Sequence, residues 1–455
     1  MPTSEIDRRK ACGLLVSGAI FASLGSAARA TTSSPALTDA LRRLTDGPDD
    51  VSAFYAARGH RPLWFAEGNA NAPARLIQLI SGAALDGLDP REYQPQALID
   101  AAKRAPAATD SLARAEVMFA RAFVRFAQDV GRPREAGVTY VDEALRPKPP
   151  APAALLSAAA DAPSLGQYLE DIGWMHPVYG GLRGALANLG EIGSDPLFAD
   201  SARRLRVNME RASILPRTGG RYVLVDAAAA KLYYYERGQV RDTMRVVVGT
   251  RDMQTPMMAA LIRYASLNPY WHVPPDLTRD RIAPRVLSEG LSYFVDRGYE
   301  VVSEWSRAAA VLDPGSVDWK AVASGRREIF VRQRPGPNNS MGNVKYMFPN
   351  KMGIYLHDTP TKGHFEELQR LISAGCVRLE DSTRLGKLLF GRALETQSAE
   401  PEQVVPLPAP VPVYLTYLTA APERGRIVER PDVYKRDAAQ HAALAKQGAF
   451  RRLDS

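Results

Sequence analysis

Cysteine is nearly absent: the 455 residues hold two, Cys12 and Cys376. That excludes a disulfide-stapled fold and a cysteine-based metal cluster. Histidine is scarce as well, six residues in all. Apart from His357 they are His60, His176, His272, His364 and His441, without the spacing of a ligand set, so no metal or other cofactor is expected. No apolar run reaches the ~18 residues that a membrane-spanning helix needs. Basic residues outnumber acidic ones, 58 to 50, for a formal charge of +8, yet they are scattered. That balance suits an anionic partner, whereas nucleic acid would call for a dense basic patch and is not expected. Gly180-Gly181-Leu182-Arg183-Gly184 is no phosphate loop, since no strand precedes it and no Lys-Ser/Thr closes it.

Residues 1–30 have the layout of an export signal. Arg8-Arg9-Lys10 is the positive segment, Gly13 to Leu24 the short apolar core, and Ala28-Arg29-Ala30 the small-residue cleavage site. An uncleaved membrane anchor is the alternative, and Arg8-Arg9 leaves Sec and twin-arginine export both open. Cleavage removes Glu5 and Asp7 against Arg8, Arg9, Lys10 and Arg29, which leaves +6, and it removes Cys12. Cys376 then stands alone in an oxidising compartment, where an unpaired thiol is a liability unless it is used.

The chain around that cysteine is the most informative stretch. Ile354-Tyr355-Leu356-His357 reads as the end of a strand, with Tyr355 and His357 on one face, before Asp358-Thr359-Pro360 breaks the ladder. Nineteen residues after His357 comes Cys376, within Ser373-Ala374-Gly375-Cys376-Val377-Arg378. Singly, each residue has a bland reading: a buried thiol, a structural imidazole, a solvated guanidinium. Together they are the parts of a cysteine acyl-transfer site. The thiolate attacks, the imidazole moves the proton, and the arginine grips a carboxylate at two points. Gly375 lacks the Cβ that would obstruct a substrate backbone, and it leaves the N–H groups of Gly375 and Cys376 to face an oxyanion.

At these residues the chain resembles the L,D-transpeptidases with a YkuD-type catalytic domain, above all the large Gram-negative members with a helical scaffold domain. His357 at a strand end, the spacer, and Ser373 to Arg378 follow the family pattern, as does Tyr355-Leu356-His357-Asp358-Thr359-Pro360. Ala374 departs from it, standing where many members carry a second histidine. The resemblance implies Cys376 as nucleophile, His357 as base, and Arg378, Tyr355 and Ser373 around the substrate. It implies a periplasmic enzyme that cuts the amide between diaminopimelate and D-alanine in peptidoglycan stem tetrapeptides and forms 3→3 cross-links. Carbapenem-type inhibitors are expected to acylate the thiol. The same cysteine with water as acceptor would make an L,D-carboxypeptidase or endopeptidase, and a non-catalytic wall-binding scaffold is a further alternative. The oligomeric state is left open.

The fold class expected is an α+β multidomain protein. A helical N-terminal scaffold precedes a YkuD-type β-sandwich catalytic domain with an inserted capping subdomain. Residues 36–145 are helical, with Phe119, Phe123, Phe126 and Val130, and Leu76, Leu79, Ile80 and Ala83, at helical spacing. Residues 146–163 read as a Pro/Ala linker that could hold a short helix at 153–160. Residues 164–220 form a helical connecting region with Leu205, Met209 and Ala212 on one face. It is too short to hold the small peptidoglycan-binding module that the large relatives carry there. The catalytic domain takes 221–420 with the capping insertion at about 272–337, and 421–455 is a C-terminal tail in which 435–450 read as a polar terminal helix or frayed end. His364 is placed at the start of a helix through Phe365, Leu368, Leu371 and Ile372, facing solvent. Residues 397–412 read as a proline-punctuated loop before a last strand at 413–417.

Overall fold

Helix starts in the N-terminal half are marked by capping side chains. Ser34 and Asp49 accept the main-chain N–H of Leu37 and Ser52, opening α1 (Pro35–Leu44) and α2 (Asp50–Ala57). With α3 (Ala72–Ser81) and α4 (Pro95–Arg104) they surround the long α5 (Thr109–Val130). The face of α5 bearing Phe119, Phe123, Phe126 and Val130 is buried, and Trp64 packs on Phe123 and Phe119 with ring centroids 5.5 and 6.1 Å apart. Glu116, also on α5, is buried and accepts from the Tyr55 hydroxyl at 2.6 Å and from the N–H groups of Leu63, Trp64 and Phe65. One carboxylate thus ties a turn to the helix it packs against. The computed structural model describes residues 34–446 apart from 133, 135, 191–195, 218 and 307, so the expected export signal lies outside the described residues.

After β1 (Thr139–Tyr140) the expected linker holds the short helix allowed for it, and that helix is part of a core. Residues 152–161 form α6 (Pro152–Asp161), whose Leu155, Leu156 and Ala159 are buried in the scaffold core. Alanine favours helix, and three apolar residues on one helical face gain more from burial than an extended linker would. Helices α7 (Leu165–Glu170), α8 (Pro177–Leu189) and α9 (Pro196–Ser213) enter the same core, with Leu205, Met209 and Ala212 of α9 buried. Scaffold and connecting region therefore share one core.

The sheet begins with β2 (Tyr222–Asp226), β3 (Lys231–Glu236), β4 (Gln239–Gly249) and β5 (Met258–Leu267). β3 and β4 meet at Arg237 and Gly238, both at positive φ, the pair a tight hairpin turn requires. The insertion then builds its own sheet from β6 (Trp271–Val273), β7 (Tyr299–Val302), β8 (Val311–Leu312) and β9 (Phe330–Gln333), in the order β6-β9-β7-β8. Helices α10 (Ala283–Glu289), α11 (Leu291–Asp296) and α12 (Trp319–Ala323) accompany it, around a core that includes Val273, Phe294, Val301, Trp319 and Val331. The main sheet resumes with β10 (Val344–Met347), β11 (Leu356–His357), β12 (Leu371–Ser373), β13 (Val377–Leu379), α13 (Ser382–Phe390) and β14 (Gln403–Thr416). Its order is β1-β5-β10-β11-β13-β4-β3-β2-β14, with β12 on β4, and β14 also pairs with β5, so the sheet closes on itself.

Two expectations need correction here. β14 starts at Gln403, inside the supposed loop; its pairing with β5 shifts register between Pro406 and Val411, where prolines lack donors, and then resumes. The supposed tail is bound in. β15 (Ala420–Glu423) and β16 (Arg426–Glu429) form a hairpin, and α14 (Asp437–Lys446) follows. Arg211 of α9, fully buried, donates to Asp437 at 2.7 Å and to the Tyr417 carbonyl at 2.9 Å.

The closed sheet encloses one core, and its outer surface is used twice. On the β2, β3 and β14 flank, Tyr222, Leu224, Tyr235 and Tyr414 belong to the scaffold core. His176 is held there. Its Nδ1 accepts the Val178 N–H at 3.2 Å, so Nε2 carries the hydrogen donated to the Tyr222 hydroxyl at 2.8 Å. Burial pushes the His176 pKa down to about 3, so the folded protein keeps it neutral where an unfolded chain would protonate it. The unfolded state then binds the extra proton between pH 6.5 and 3, and stability falls as pH drops through that window, by about 1.4 kcal/mol per pH unit for this group. In urea titrations from pH 7 to 4, His176→Gln is expected to show a shallower acid loss than the wild type; parallel curves would refute the assignment.

Candidate active site

β11 and β13 lie side by side in parallel, with Leu356 opposite Val377 and His357 opposite Arg378. Leu356, Val377 and Leu379 point into the sheet core. By the pleat, Tyr355, His357, Cys376 and Arg378 are presented to the other face. The Tyr355 and His357 rings stand edge to face, with centroids 5.7 Å apart. β10 adds a residue that the sequence did not single out. Lys345 is the register partner of His357 and shares its face.

The loop before Cys376 is braced on every side. Ser373 donates its hydroxyl to the Cys376 carbonyl at 2.6 Å and accepts the Gly375 N–H at 3.1 Å. Thr255 donates to the Gly375 carbonyl at 2.8 Å. Gly375 has φ +108, and a Cβ there would lie 3.2 Å from Ile354 Cδ1, so the position demands glycine. One expectation fails: the Gly375 N–H is engaged by Ser373 and does not face an oxyanion. The Cys376 N–H makes no hydrogen bond among the described residues and remains the available donor. Ala374 packs against the core of the inserted subdomain, as does Met253, so the insertion sits directly on this loop.

Cys376, half-buried, is the free cysteine of the described chain. Its Sγ lies 3.4 Å from the Gly353 carbonyl, which is set by Asn350: the Asn350 amide donates to Phe348 and Ile354 carbonyls and accepts from Met352 and Ile354 N–H groups. Burial pushes the thiol up to about 11, opposed by hydrogen bonds from Tyr355 and by the charges of Arg378 and Lys345. His357 is buried and pushed down to about 3, by burial first and then by Arg378. Its Nδ1 donates to the Asp358 carbonyl at 2.5 Å, which leaves Nε2 with its lone pair. Thiol and imidazole are therefore both neutral at rest.

Charge around them is positive and only partly compensated. Lys345 Nζ donates to the Tyr270 carbonyl at 3.1 Å, stands 3.8 Å from Glu402 and lies 5.7 Å over the Tyr355 ring. The Arg378 guanidinium makes no hydrogen bond or ion pair among the described residues, and its Nε is buried without a partner. His364 lies off this face. It sits on a single 3-10 turn, Lys362–Glu366, paired with Glu367 at 2.9 Å, and Leu371-Ile372 continue as β12 beside β4 instead of a helix. Pairing with β4 wins because a helix there would leave the main-chain groups of β4 unmatched.

Known proteins give this arrangement its family. A scaffold-domain family matches residues 49–186, and the L,D-transpeptidase catalytic domain, the YkuD family, matches residues 220–389. Residues 220–389 are an L,D-transpeptidase catalytic domain. A Haemophilus influenzae protein named "Putative L,D-transpeptidase" is 31% identical over 259 residues, 54% of this chain and 52% of that protein. The chain thus spans about half the length of the curated relative it matches. Both families' stretches fall on the two bodies seen here, the helical scaffold and the closed sheet that bears the L,D-transpeptidase motif.

Lys345 offers a direct check on the electrostatics. Its ammonium favours the thiolate, so removing it raises the thiol pKa. The pH profile of Cys376 alkylation by iodoacetamide is expected to move to higher pH in Lys345→Met and to return towards the wild type in Lys345→Arg. An unmoved profile in Lys345→Met would mean that the ammonium is not felt at the sulfur.

Proposed function

We propose that this protein is an exported, periplasmic L,D-transpeptidase that joins peptidoglycan stem peptides through a Cys376 thioester. The reading is supported most by one observation: a lone free thiol shares a sheet face with an imidazole whose Nε2 can accept a proton and with an unpaired arginine. As sulfur attacks the diaminopimelate carbonyl, His357 Nε2 takes the thiol proton. The developing oxyanion is met by the Cys376 N–H. The C–N bond to D-alanine breaks, the imidazolium returns the proton to the leaving amine, and D-alanine departs. A side-chain amine of a second stem then attacks the thioester, loses its proton to His357, and releases the thiol with a 3→3 cross-link formed. Arg378 orients a donor carboxylate, Tyr355 donates to the sulfur, and Ser373 holds the loop. With thiol and imidazole neutral at rest, proton transfer accompanies attack and no thiolate–imidazolium pair is stored beforehand.

Mass spectrometry of tetrapeptide muropeptides incubated with the enzyme tests this reading. Cross-linked dimers that disappear in Cys376→Ala are the expected outcome. Tripeptide monomers alone would make the protein a hydrolase that uses the same cysteine, and no acyl adduct with either stem or carbapenem would leave a wall-binding scaffold. His357→Ala should slow acylation by roughly 10²-fold or more, the range of a lost general base. An unimpaired His357→Ala would remove the imidazole from the mechanism.

A further inference from the structure

The inserted subdomain brings a second arginine to the loop that carries Cys376. Between β6 and α10 runs a π-helical turn, Thr278–Ile282. Such turns are rare and gather at functional sites, because the wider coil re-aims side chains. This one also buries the Thr278 hydroxyl without a hydrogen-bond partner. It presents Arg279, Asp280 and Arg281 in succession. Arg279 and Asp280 pair with each other at 2.6 and 2.8 Å. Arg281 has no ion pair with a carboxylate among the described residues; its Nη2 rests 3.8 Å from Met253 Sδ. The Met253 carbonyl, in turn, lies 3.9 Å from where a Cβ on Gly375 would be. Arg281 therefore overhangs the loop that carries Cys376, and it stands within electrostatic reach of Arg378.

Two guanidinium groups from different bodies are thus within electrostatic reach of each other, neither in a salt bridge with a carboxylate among the described residues, and the buried Lys345 adds a third positive charge. Like charges so placed repel, and an anion bound between them relieves that repulsion. A carboxylate matches two guanidinium forks, since each of its oxygens can accept from a different arginine. On the reading that the donor is a stem tetrapeptide, its C-terminal D-alanine carboxylate is one bonded carbon from the scissile nitrogen. Arg378, two residues from Cys376 on the same face, is placed for that reach.

We propose that Arg281 and Arg378 form a two-arginine clamp on the donor's C-terminal carboxylate, with Arg281 supplied by the inserted subdomain that sits on the Cys376 loop. The clamp carries a consequence for turnover. D-alanine takes the carboxylate away when it leaves, so the two arginines have no shared anion while the acceptor amine attacks. Arg281 is a substrate-binding residue in this scheme, and only the donor half of the reaction uses it.

The test is a binding measurement that does not depend on turnover. In the full chain carrying Cys376→Ala, calorimetry compares a stem tetrapeptide with the same peptide amidated at its C-terminus. The free acid is expected to bind at least ~10-fold more tightly, the scale of one charge-assisted contact. Adding Arg281→Met should shrink that preference several-fold, and Arg281→Lys should restore part of it. Equal binding of acid and amide, or a preference undiminished by Arg281→Met, overturns the clamp. The muropeptide assay of the cysteine-intact protein reports separately on the reaction, so failure of the clamp and failure of the transpeptidase reading give different results.

Discussion

Parallel pairing of β11 with β13 is the constraint from which the site follows. In a pleated strand neighbouring residues must point to opposite faces, and in parallel register two strands share the same faces. With Leu356 beside Val377, the apolar residues of both strands fill the sheet core, and Tyr355, His357, Cys376 and Arg378 have no choice but the other side. A slip of one residue would bury the imidazole and the thiol's neighbours in an apolar core and expose leucine and valine. The register is held by the burial of those residues, by β4 and β10 on either side, and by the closure of the sheet through β14.

The same geometry sets the electrostatics. Burial pushes the thiol up and the imidazole down, so neither is charged, while Lys345 and Arg378 remain as cations with incomplete partners. Such a surface is stable because the surrounding body is large: the scaffold, the hairpin after β14 and the C-terminal helix bind the opposite flank through the Tyr222 cluster and Arg211. The deficit of negative charge is local to one face. An anionic ligand would complete it, where an apolar one would leave the buried Nε of Arg378 without a partner.

Composition misled where proline and alanine are dense. Residues 146–163 and 397–412 have the texture of linkers, and both are drawn into regular structure by a neighbour that needs covering. α6 closes the scaffold core with Leu155 and Leu156, and β14 supplies the strand that joins β2 to β5. Polar residues at the end of the chain looked like a tail because what they bind, Arg211, is more than 200 positions earlier.

From the sequence alone came the helical half, the β-rich half, and the motif residues Cys376, His357 and Arg378. Each rests on local pattern: helical spacing of aromatics, strand alternation, and a short run around a lone thiol. Tertiary structure decided what no local pattern encodes. Lys345 faces His357 only because β10 pairs with β11, and Asn350 sets the carbonyl beside the sulfur only once its loop is closed. The Gly375 N–H, free by inspection of the chain, is taken by the hydroxyl of Ser373 two residues before it. Arg281 comes to Met253 across an insertion with a core of its own. Alternation along a strand can be read from residue order, because it is a property of the backbone. Which strands become neighbours, and which charges are left without partners, depends on contacts between distant segments.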